Sequence, residues 1–266
     1  MNDRAYKHLH LSPEGRALRV RLNRPEVHNA LNPEMIEELH ECFSSLHTGG
    51  LVRVVLLEGS GPSFCAGADL TWMRALATYS YEENVGDAHN LADALTALDA
   101  SPVPTVARVH GAALGGGMGL LACCDVVVAA DDARFGFTEV KLGILPAVIS
   151  PFVLAKITPG HARALFTTGE RFGAERALQV GLVHRVAPAD QLNVAVERVL
   201  REILASGPNA AAEAKALVRV MQGRQPTDVR GLTADVIARL RLSDEGREGI
   251  AAFLEKRRPS WAEGEG

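Results

Sequence analysis

The chain has 266 residues, of which 47% are hydrophobic, and a formal net charge of −4. This length supports one or two domains with a sizeable core, and the scattered lysines and arginines argue against a nucleic-acid ligand. No apolar run approaches the roughly 18 residues of a membrane-spanning helix and the N-terminus lacks a hydrophobic signal region, so we expect a cytoplasmic protein without membrane contacts.

The first part of the chain alternates predicted strands with predicted helices. Ala17–Arg24 alternates apolar residues with arginines, which is the period of a half-buried strand. Asn32 followed by Pro33 predicts a helix start, because Asn caps a helix and Pro lacks only an N–H that the first helical position does not use. Val52–Gly59 and Asp125–Ala130 are apolar enough for strands buried on both faces. This alternation predicts an α/β fold with parallel strands and right-handed crossovers.

The four cysteines predict neither a disulfide framework nor a zinc site. They are too few to cross-link a chain of this length, they form no CxxC pair, and two of them are adjacent. Because cysteine is among the residue types most often buried, we expect four buried free thiols. These residues are Cys42, Cys65, Cys123 and Cys124.

From about Ala189 the pattern becomes helical. Four amphipathic helical stretches follow without a predicted strand between them, and the last ends in Ile250–Trp261. We therefore divide the chain into a core over residues 1–195 and a helical C-terminal subdomain over residues 196–266.

Two loops consist of glycine and small residues. They are FCAGADL at Phe64–Leu70 and HGAALGGGMG at His110–Gly119, and each follows a predicted strand. Two backbone N–H donors about 2.7–3.1 Å from a carbonyl oxygen stabilise negative charge on it, and larger side chains would obstruct a substrate there. One such loop alone is equally consistent with a tight turn, but the pair favours an oxyanion hole for a thioester or ester. GxGxxG, GxxxxGK[ST] and GxSxG are absent, so nucleotide binding and serine hydrolysis are not supported.

Four segments, taken in order, resemble the enoyl-CoA hydratase/isomerase (crotonase) superfamily over nearly the whole chain. The resemblance implies a crotonase-like spiral of ββα turns with the C-terminal helices at contacts within a homotrimer or homohexamer. It implies an acyl-CoA thioester as substrate, so that coenzyme A is part of the substrate, and no metal, flavin or nicotinamide cofactor. The segments are NRPEVHNALN (Asn23–Asn32), FCAGADL, His110–Pro146 and FLEKRRPSW (Phe253–Trp261).

Within the superfamily the chain is most similar to bacterial methylglutaconyl-CoA hydratases of leucine and isovalerate metabolism. This implies reversible hydration of a 2-enoyl-CoA, with 3-methylglutaconyl-CoA and 3-hydroxy-3-methylglutaryl-CoA as the substrate pair. The distal carboxylate of such a substrate needs a partner, for which Arg74, Lys141 and Arg134 are candidates by their place in the sequence. The segments that carry this similarity are LGILPAVISPFV, MGLLACCD and EGREGIAAFLEKRRPSW.

The resemblance also implies roles for individual residues. The N–H groups of Ala66 and Gly116 would bind the thioester oxygen, and Glu139 would be the acid/base carboxylate. Aromatic and aliphatic neighbours should desolvate Glu139 and raise its pKa towards a range useful for proton transfer. The competing interpretation of Glu139 is an ordinary surface glutamate.

The implied contacts with coenzyme A come from two parts of the chain. Glu26, Val27 and His28 would line its pyrophosphate and adenine, largely through their backbone, with Ala68 near the adenine. Lys256 would reach a phosphate, although a lysine there is equally consistent with a solvated helix end.

One position departs from the superfamily pattern. Typical hydratases carry a second glutamate shortly after the glycine run, where this chain has Gly119. A single carboxylate can support hydration if it both activates water and returns the proton, and it also suits a Δ3,Δ2-enoyl-CoA isomerase. The same departure is consistent with a non-catalytic acyl-CoA-binding protein, and a thioester hydrolase is a further hypothesis.

Four polar residues near these motifs are predicted to have structural roles. Asp69 should cap the following helix and hold the first loop in shape, and Asp125 should support a buried strand. His28 and His110 are expected to form hydrogen bonds rather than to act in the reaction.

Overall fold

The computed structural model describes residues 6–262. Within this range the strands are β1 (Leu9–Glu14), β2 (Ala17–Leu22), β3 (Val54–Gly59), β4 (Thr105–Val109), β5 (Ala112–Leu114), β6 (Val126–Ala130), β7 (Arg134–Gly136), β8 (Arg171–Gly173) and β9 (Arg185–Ala187). The helices are α1 (Pro33–Ser44), α2 (Leu70–Leu76), α3 (Tyr81–Asp99), α4 (Gly116–Cys123), α5 (Ser150–Leu154), α6 (Pro159–Thr168), α7 (Ala174–Val180), α8 (Leu192–Leu204), α9 (Pro208–Met221), α10 (Pro226–Leu242) and α11 (Asp244–Leu254). Short 3₁₀ segments cover Pro25–Val27, Thr138–Leu142, Ala189–Gln191 and Ser260–Ala262.

The main sheet has six strands in the order β1-β2-β3-β4-β6-β9. β1 is antiparallel to β2, whereas the pairs β2–β3, β3–β4, β4–β6 and β6–β9 are parallel. The predicted α/β class and parallel pairing are therefore confirmed. Every residue of β3 is buried, as expected for a strand in the middle of a sheet with both faces covered.

A second sheet, in the order β5-β7-β8, lies where the two glycine-containing loops meet. β5 is parallel to β7, and β7 is antiparallel to β8. Phe135 on β7 stacks on Phe172 of β8 with ring centroids 5.9 Å apart, which anchors this small sheet.

Helix α1 begins as the sequence predicts. The Asn32 side chain accepts a hydrogen bond from the Met35 N–H at 3.0 Å, and Pro33 lies in the first turn. The cap satisfies one of the N–H groups that a helix start leaves unpaired. Met35, Ile36 and Leu39 form the buried face of α1.

Helix α8 belongs to the core rather than to a separate subdomain. Val196, Val199 and Leu200 are buried in the main hydrophobic cluster, and α8 contacts β4, β6 and β9. The predicted boundary between residues 195 and 196 falls inside this continuous helix. Helices α9–α11 follow, with Val229 and Ala252 as their buried residues.

The cysteine prediction is confirmed, because all four thiols are free and buried. Between residues 6 and 262 no group of three or more His, Cys, Asp or Glu side chains is placed to hold a metal ion. Over the same residues no helix combines the length and apolar character needed to cross a membrane.

Candidate active site

The two glycine-containing loops lie side by side. Cys65 and Ala113 form a parallel bridge, in which the Cys65 N–H donates to the Ala112 carbonyl at 3.0 Å and the Leu114 N–H donates to the Cys65 carbonyl at 3.0 Å. A Cβ atom at Gly117 would lie 2.6 Å from the Cys65 carbonyl oxygen. Glycine at this position therefore lets helix α4 approach the first loop closely.

A cavity of about 340 Å³ opens where these loops meet the 3₁₀ segment Thr138–Leu142. Its lining is largely apolar, and Glu139 and Arg171 are its ionisable members. Apolar walls with a few polar groups are typical of small-molecule sites. Apolar side chains in the wall include Leu31, Trp72, Met73, Leu91, Leu142 and Ile149.

A larger cavity of about 550 Å³ lies beside β2, β3 and α8, away from Glu139. Its buried carboxylate is already paired, since Glu58 binds Arg19 at 3.1 Å and Arg21 at 2.7 Å. A cavity whose buried carboxylate is held by two arginines is a weaker candidate for proton transfer than one whose carboxylate is unpaired.

Glu139 lies in the 3₁₀ segment that follows β7, against the glycine run. A Cβ atom at Gly115 would lie 3.5 Å from Glu139 Oε1. Glu139 Oε2 is buried and has no hydrogen-bond partner among the described residues. Burial raises the pKa of this carboxyl above its ordinary value of 4.5, which confirms the predicted direction. A carboxylate with a raised pKa and an unused oxygen is suited to accepting a proton.

We expect the partly buried Glu139 carboxylate to destabilise the fold at neutral pH. Because its pKa is higher in the folded than in the unfolded chain, its contribution to stability is greatest below about pH 4.5 and is lost as pH rises through the raised pKa. We therefore expect Glu139→Gln to have a higher Tm than wild type at pH 7, with the difference shrinking as pH falls towards 4.5. Thermal unfolding at several pH values measures this, with Glu37→Gln on the exposed side of α1 as control. A lower Tm for Glu139→Gln at pH 7 would contradict the prediction.

The Ala66 N–H donates to the His28 carbonyl at 3.0 Å, so this donor is already engaged within the protein. The prediction that Ala66 supplies a donor to the thioester oxygen conflicts with this bond. The Ala68 N–H has no acceptor among residues 6–262, and Ala68 lines the cavity. Hydrogen bonds from Leu31 N–H to Gly67 O and from Asp69 N–H to Leu31 O flank Ala68, so its own N–H points away from Leu31.

Gly116, the other predicted donor, lies in the cavity wall. It is the first residue of α4, where an N–H has no partner within the helix, and the preceding Gly115 has no side chain to cap it. No acceptor for the Gly116 N–H is found in the described part of the chain. Gly115 has a φ of 48°, a left-handed conformation that favours glycine. The helix start therefore presents a free donor and a partial positive charge to the cavity.

The turn predicted to meet coenzyme A is exposed and tied to the first loop. Glu26, Val27 and His28 are all exposed, and none of them lines the cavity. Besides the bond from its carbonyl to Ala66, His28 places Nδ1 3.0 Å from Ser63 Oγ. The turn is therefore hydrogen-bonded to the first glycine-containing loop, and that loop forms part of the cavity wall.

The other two residues predicted to meet coenzyme A lie apart in the fold. Ala68 is in the cavity wall, whereas Lys256 is an exposed residue just after α11. Lys256 does not line the cavity formed by the described residues of this chain.

The polar residues predicted to be structural have structural contacts. Asp69 caps α2 by accepting from the Thr71 N–H at 2.7 Å and also binds Arg24 at 2.8 Å. Asp125 accepts from the Thr105 N–H at 2.7 Å. His110 Nε2 lies 2.8 Å from the Gly61 carbonyl oxygen.

The position of the superfamily's second glutamate is filled by another side chain. A Cβ atom at Gly119 would lie 2.5 Å from Ile149 Cγ2 and 3.4 Å from Leu95 Cδ1. Both of these neighbours are buried. Glu139 is accordingly the one carboxylate in the cavity lining of the described chain.

We expect Gly119→Glu to lower the free energy of unfolding, because its Cβ would overlap Ile149. Overpacking a filled core costs roughly 1–3 kcal/mol. Urea denaturation measures the change, and Gly119→Glu combined with Ile149→Ala should recover part of it by opening space. If the single variant Gly119→Glu is as stable as wild type, Ile149 does not restrict the size of the side chain at position 119.

The three cations predicted to meet a distal carboxylate are not in the cavity wall. Arg74, Lys141 and Arg134 lie outside the lining, and Arg134 donates to the Asp132 carbonyl at 3.0 Å. Arg171, which the sequence motifs did not single out, is the cation in the wall. It enters the site because β8 pairs with β7, a contact between segments that no local sequence motif marks.

Two free N–H donors and a desolvated carboxylate in one apolar cavity form a site that can stabilise an enolate and transfer its proton. The enoyl-CoA hydratase/isomerase family model matches residues 14–264. A crotonyl-CoA hydratase of Syntrophomonas wolfei is 32% identical over 262 residues, covering 97% of this chain and 98% of the relative.

Two solved structures are similar over almost their full length. An enoyl-CoA hydratase from Shewanella pealeana has a TM-score of 0.90 and 37% identity, covering 96% of both chains. Pseudomonas aeruginosa AtuE has a TM-score of 0.93 and 37% identity, and the match covers 97% of this chain and 100% of the AtuE chain. The chain belongs to the enoyl-CoA hydratase/isomerase family and has the crotonase fold.

Proposed function

We propose that this protein reversibly hydrates a 2-enoyl-CoA, with 3-methylglutaconyl-CoA as substrate and 3-hydroxy-3-methylglutaryl-CoA as product. The observation that carries the proposal is the Glu139 carboxylate, whose buried Oε2 has no partner in the described chain and lies in a cavity with unused N–H donors. Membership of the family supports an enzyme of the enoyl-CoA hydratase type.

The N–H groups of Ala68 and Gly116 bind the thioester oxygen. Ala68 takes the place first predicted for Ala66, because the Ala66 N–H is bound to His28. Charge that develops on the oxygen during attack at the β-carbon is stabilised by these two fixed donors and by the positive end of α4. The small side chains at both positions leave room for the acyl group.

Glu139 acts first as a base and then as an acid. It accepts a proton from water, and the oxygen of that water forms a bond to the β-carbon while the C=C electron pair moves into the enolate. The protonated Glu139 then donates its proton to the α-carbon, which restores the thioester C=O and leaves Glu139 ionised. One water is added in all, and the same steps reversed dehydrate the 3-hydroxyacyl-CoA.

The isomerase is the second candidate, and the filled position at Gly119 favours it. A single carboxylate can move one proton between two carbons without using water. In that reaction Glu139 would take a proton from the α-carbon of a 3-enoyl-CoA, which leaves a dienolate, and return it to the γ-carbon, which gives the 2-enoyl-CoA.

The experiment follows the ultraviolet absorbance of the conjugated thioester on crotonyl-CoA and 3-methylglutaconyl-CoA. We expect loss of the band on both substrates, faster on the branched one. Appearance of the band from a 3-enoyl-CoA, without loss from either 2-enoyl-CoA, would favour the isomerase. Thioester binding without any spectral change would favour a non-catalytic acyl-CoA-binding protein, and release of free thiol would favour a hydrolase.

We also propose that coenzyme A lies along the exposed turn Glu26–His28 and that Lys256 binds one of its phosphates. The proposed assembly is a homotrimer or homohexamer. Exposed apolar side chains on α11 support it, since Phe253 is 82% exposed and Leu254 is 73% exposed in the single chain.

A further inference from the structure

Arg171 is a cation in the wall of the cavity that holds Glu139. It opens β8 and pairs with Gly136 of β7, whose carbonyl accepts the Gly115 N–H at 3.0 Å. Arg171 is therefore one strand away from the glycine run. Among residues 6–262 its guanidinium forms no ion pair and no hydrogen bond.

The Arg171 guanidinium is not paired with Glu139. No ion pair joins the two side chains, and the pKa of Glu139 is raised by burial without an opposing effect from the Arg171 charge. A cation close to the carboxylate would lower that pKa. Glu139 is therefore not held in an ion pair with Arg171, and it keeps its capacity to accept a proton.

A free guanidinium in this cavity wall is suited to a carboxylate. Its planar set of N–H donors matches the two oxygens of a carboxylate, and the pair forms two parallel hydrogen bonds. The surrounding wall is largely apolar, and Glu139 is the one carboxylate that lines it in the described chain. In an acyl chain that ends in a carboxylate, the methylene groups would contact the apolar wall and the carboxylate would bind the free cation.

We infer that Arg171 binds the distal carboxylate of the acyl group and selects thioesters of dicarboxylic acids over neutral acyl-CoA. The inference rests on the proposed function, because it places the acyl group with its reacting carbons at Glu139. Arg171 replaces Arg74, Lys141 and Arg134 as the partner of that carboxylate. Its role is specificity, whereas Glu139 and the two N–H donors carry out the reaction.

Equilibrium binding of glutaryl-CoA and pentanoyl-CoA tests the inference. Both thioesters are saturated, have five acyl carbons and cannot be hydrated, so their affinities report recognition alone. Hydrogen bonds to a charged group correspond to a factor of roughly 10 to 100 in affinity. We expect wild type to prefer glutaryl-CoA by a factor in this range.

Arg171→Gln should remove most of this preference, and Arg171→Lys should retain part of it because the charge remains without the planar pair of donors. The matched control is Arg134→Gln, on the neighbouring strand and outside the cavity wall. Its preference should equal that of wild type. If Arg171→Gln does not fold, the several-fold loss expected for Arg171→Lys is the test.

The inference is overturned if wild type binds the two thioesters equally, or if Arg134→Gln reduces the preference as much as Arg171→Gln does. Failure of the proposed function is a separate result. If wild type hydrates neither crotonyl-CoA nor 3-methylglutaconyl-CoA but prefers glutaryl-CoA through Arg171, the inference holds and the hydratase proposal fails.

Discussion

We expect Glu139→Gln to lower kcat for hydration of a 2-enoyl-CoA by roughly 10²- to 10⁴-fold, the usual contribution of a positioned acid or base. The amide has nearly the same shape as the carboxylate, but it cannot accept the proton of the attacking water. The Glu139 side chain is also the one carboxylate in the cavity lining of the described residues, so no neighbour can replace it. Decay of the conjugated thioester absorbance measures the loss.

The pH dependence separates a proton-transfer role from a structural one. Wild-type activity should fall on the acidic side as Glu139 becomes protonated, at a pH above the ordinary 4.5 because burial raises this pKa. The residual activity of Glu139→Gln should lack that acidic limb. Glu37→Gln, an exposed change on α1, should have the wild-type profile. Near-wild-type turnover of Glu139→Gln would remove Glu139 from the reaction.

We expect Gly116→Pro to lower kcat by roughly 10²- to 10³-fold relative to Gly116→Ala, the range seen when one oxyanion donor is removed. Proline lacks the N–H that we assign to the thioester oxygen, whereas alanine keeps it. Position 116 is the first residue of α4, where proline is well tolerated, so the helix should still form. Steady-state kinetics on crotonyl-CoA measure the difference.

Comparison with alanine isolates the N–H from the effect of added bulk. In either variant a Cβ atom would lie 2.7 Å from Leu31 Cδ1, at the end of a side chain that can move. Equal kcat values for the proline and alanine variants would show that the Gly116 N–H does not contribute. A smaller loss for Ala66→Gly than for Gly116→Pro is expected as well, because Ala66→Gly leaves every backbone donor in place.

Features encoded locally could be predicted from the sequence. The cap of α1 depends on Asn32 and Pro33, which are adjacent and act on the same helix turn. The parallel strands depend on short apolar runs that alternate with helical periods. Both glycine-containing loops were placed correctly at strand ends, because glycine and alanine there mark close approach of backbone segments.

Features that depend on contacts between distant segments could not be predicted. Ala66 and Ala68 are identical residues two positions apart, and only the bond from Ala66 to His28 distinguishes their N–H groups. The entry of Arg171 into the cavity depends on the pairing of β8 with β7. Likewise, the sequence shows that position 119 is glycine and lacks a carboxylate. That the Ile149 side chain occupies the space beside Gly119 is visible only in the structure.

The boundary between the core and the C-terminal helices could also not be predicted from the sequence pattern. An amphipathic helix has an apolar face whether it packs on a sheet or on other helices. Helix α8 packs on the sheet, and this is decided by its neighbours β4, β6 and β9 rather than by its own periodicity.

The most direct test of the central claim is the mass of the product formed from 3-methylglutaconyl-CoA in ¹⁸O-labelled water. A hydratase in which Glu139 activates water yields a 3-hydroxyacyl-CoA that carries one labelled oxygen, and Glu139→Gln yields almost none over the same time. A product with the mass of the substrate and a shifted double bond would contradict hydration and identify an isomerase.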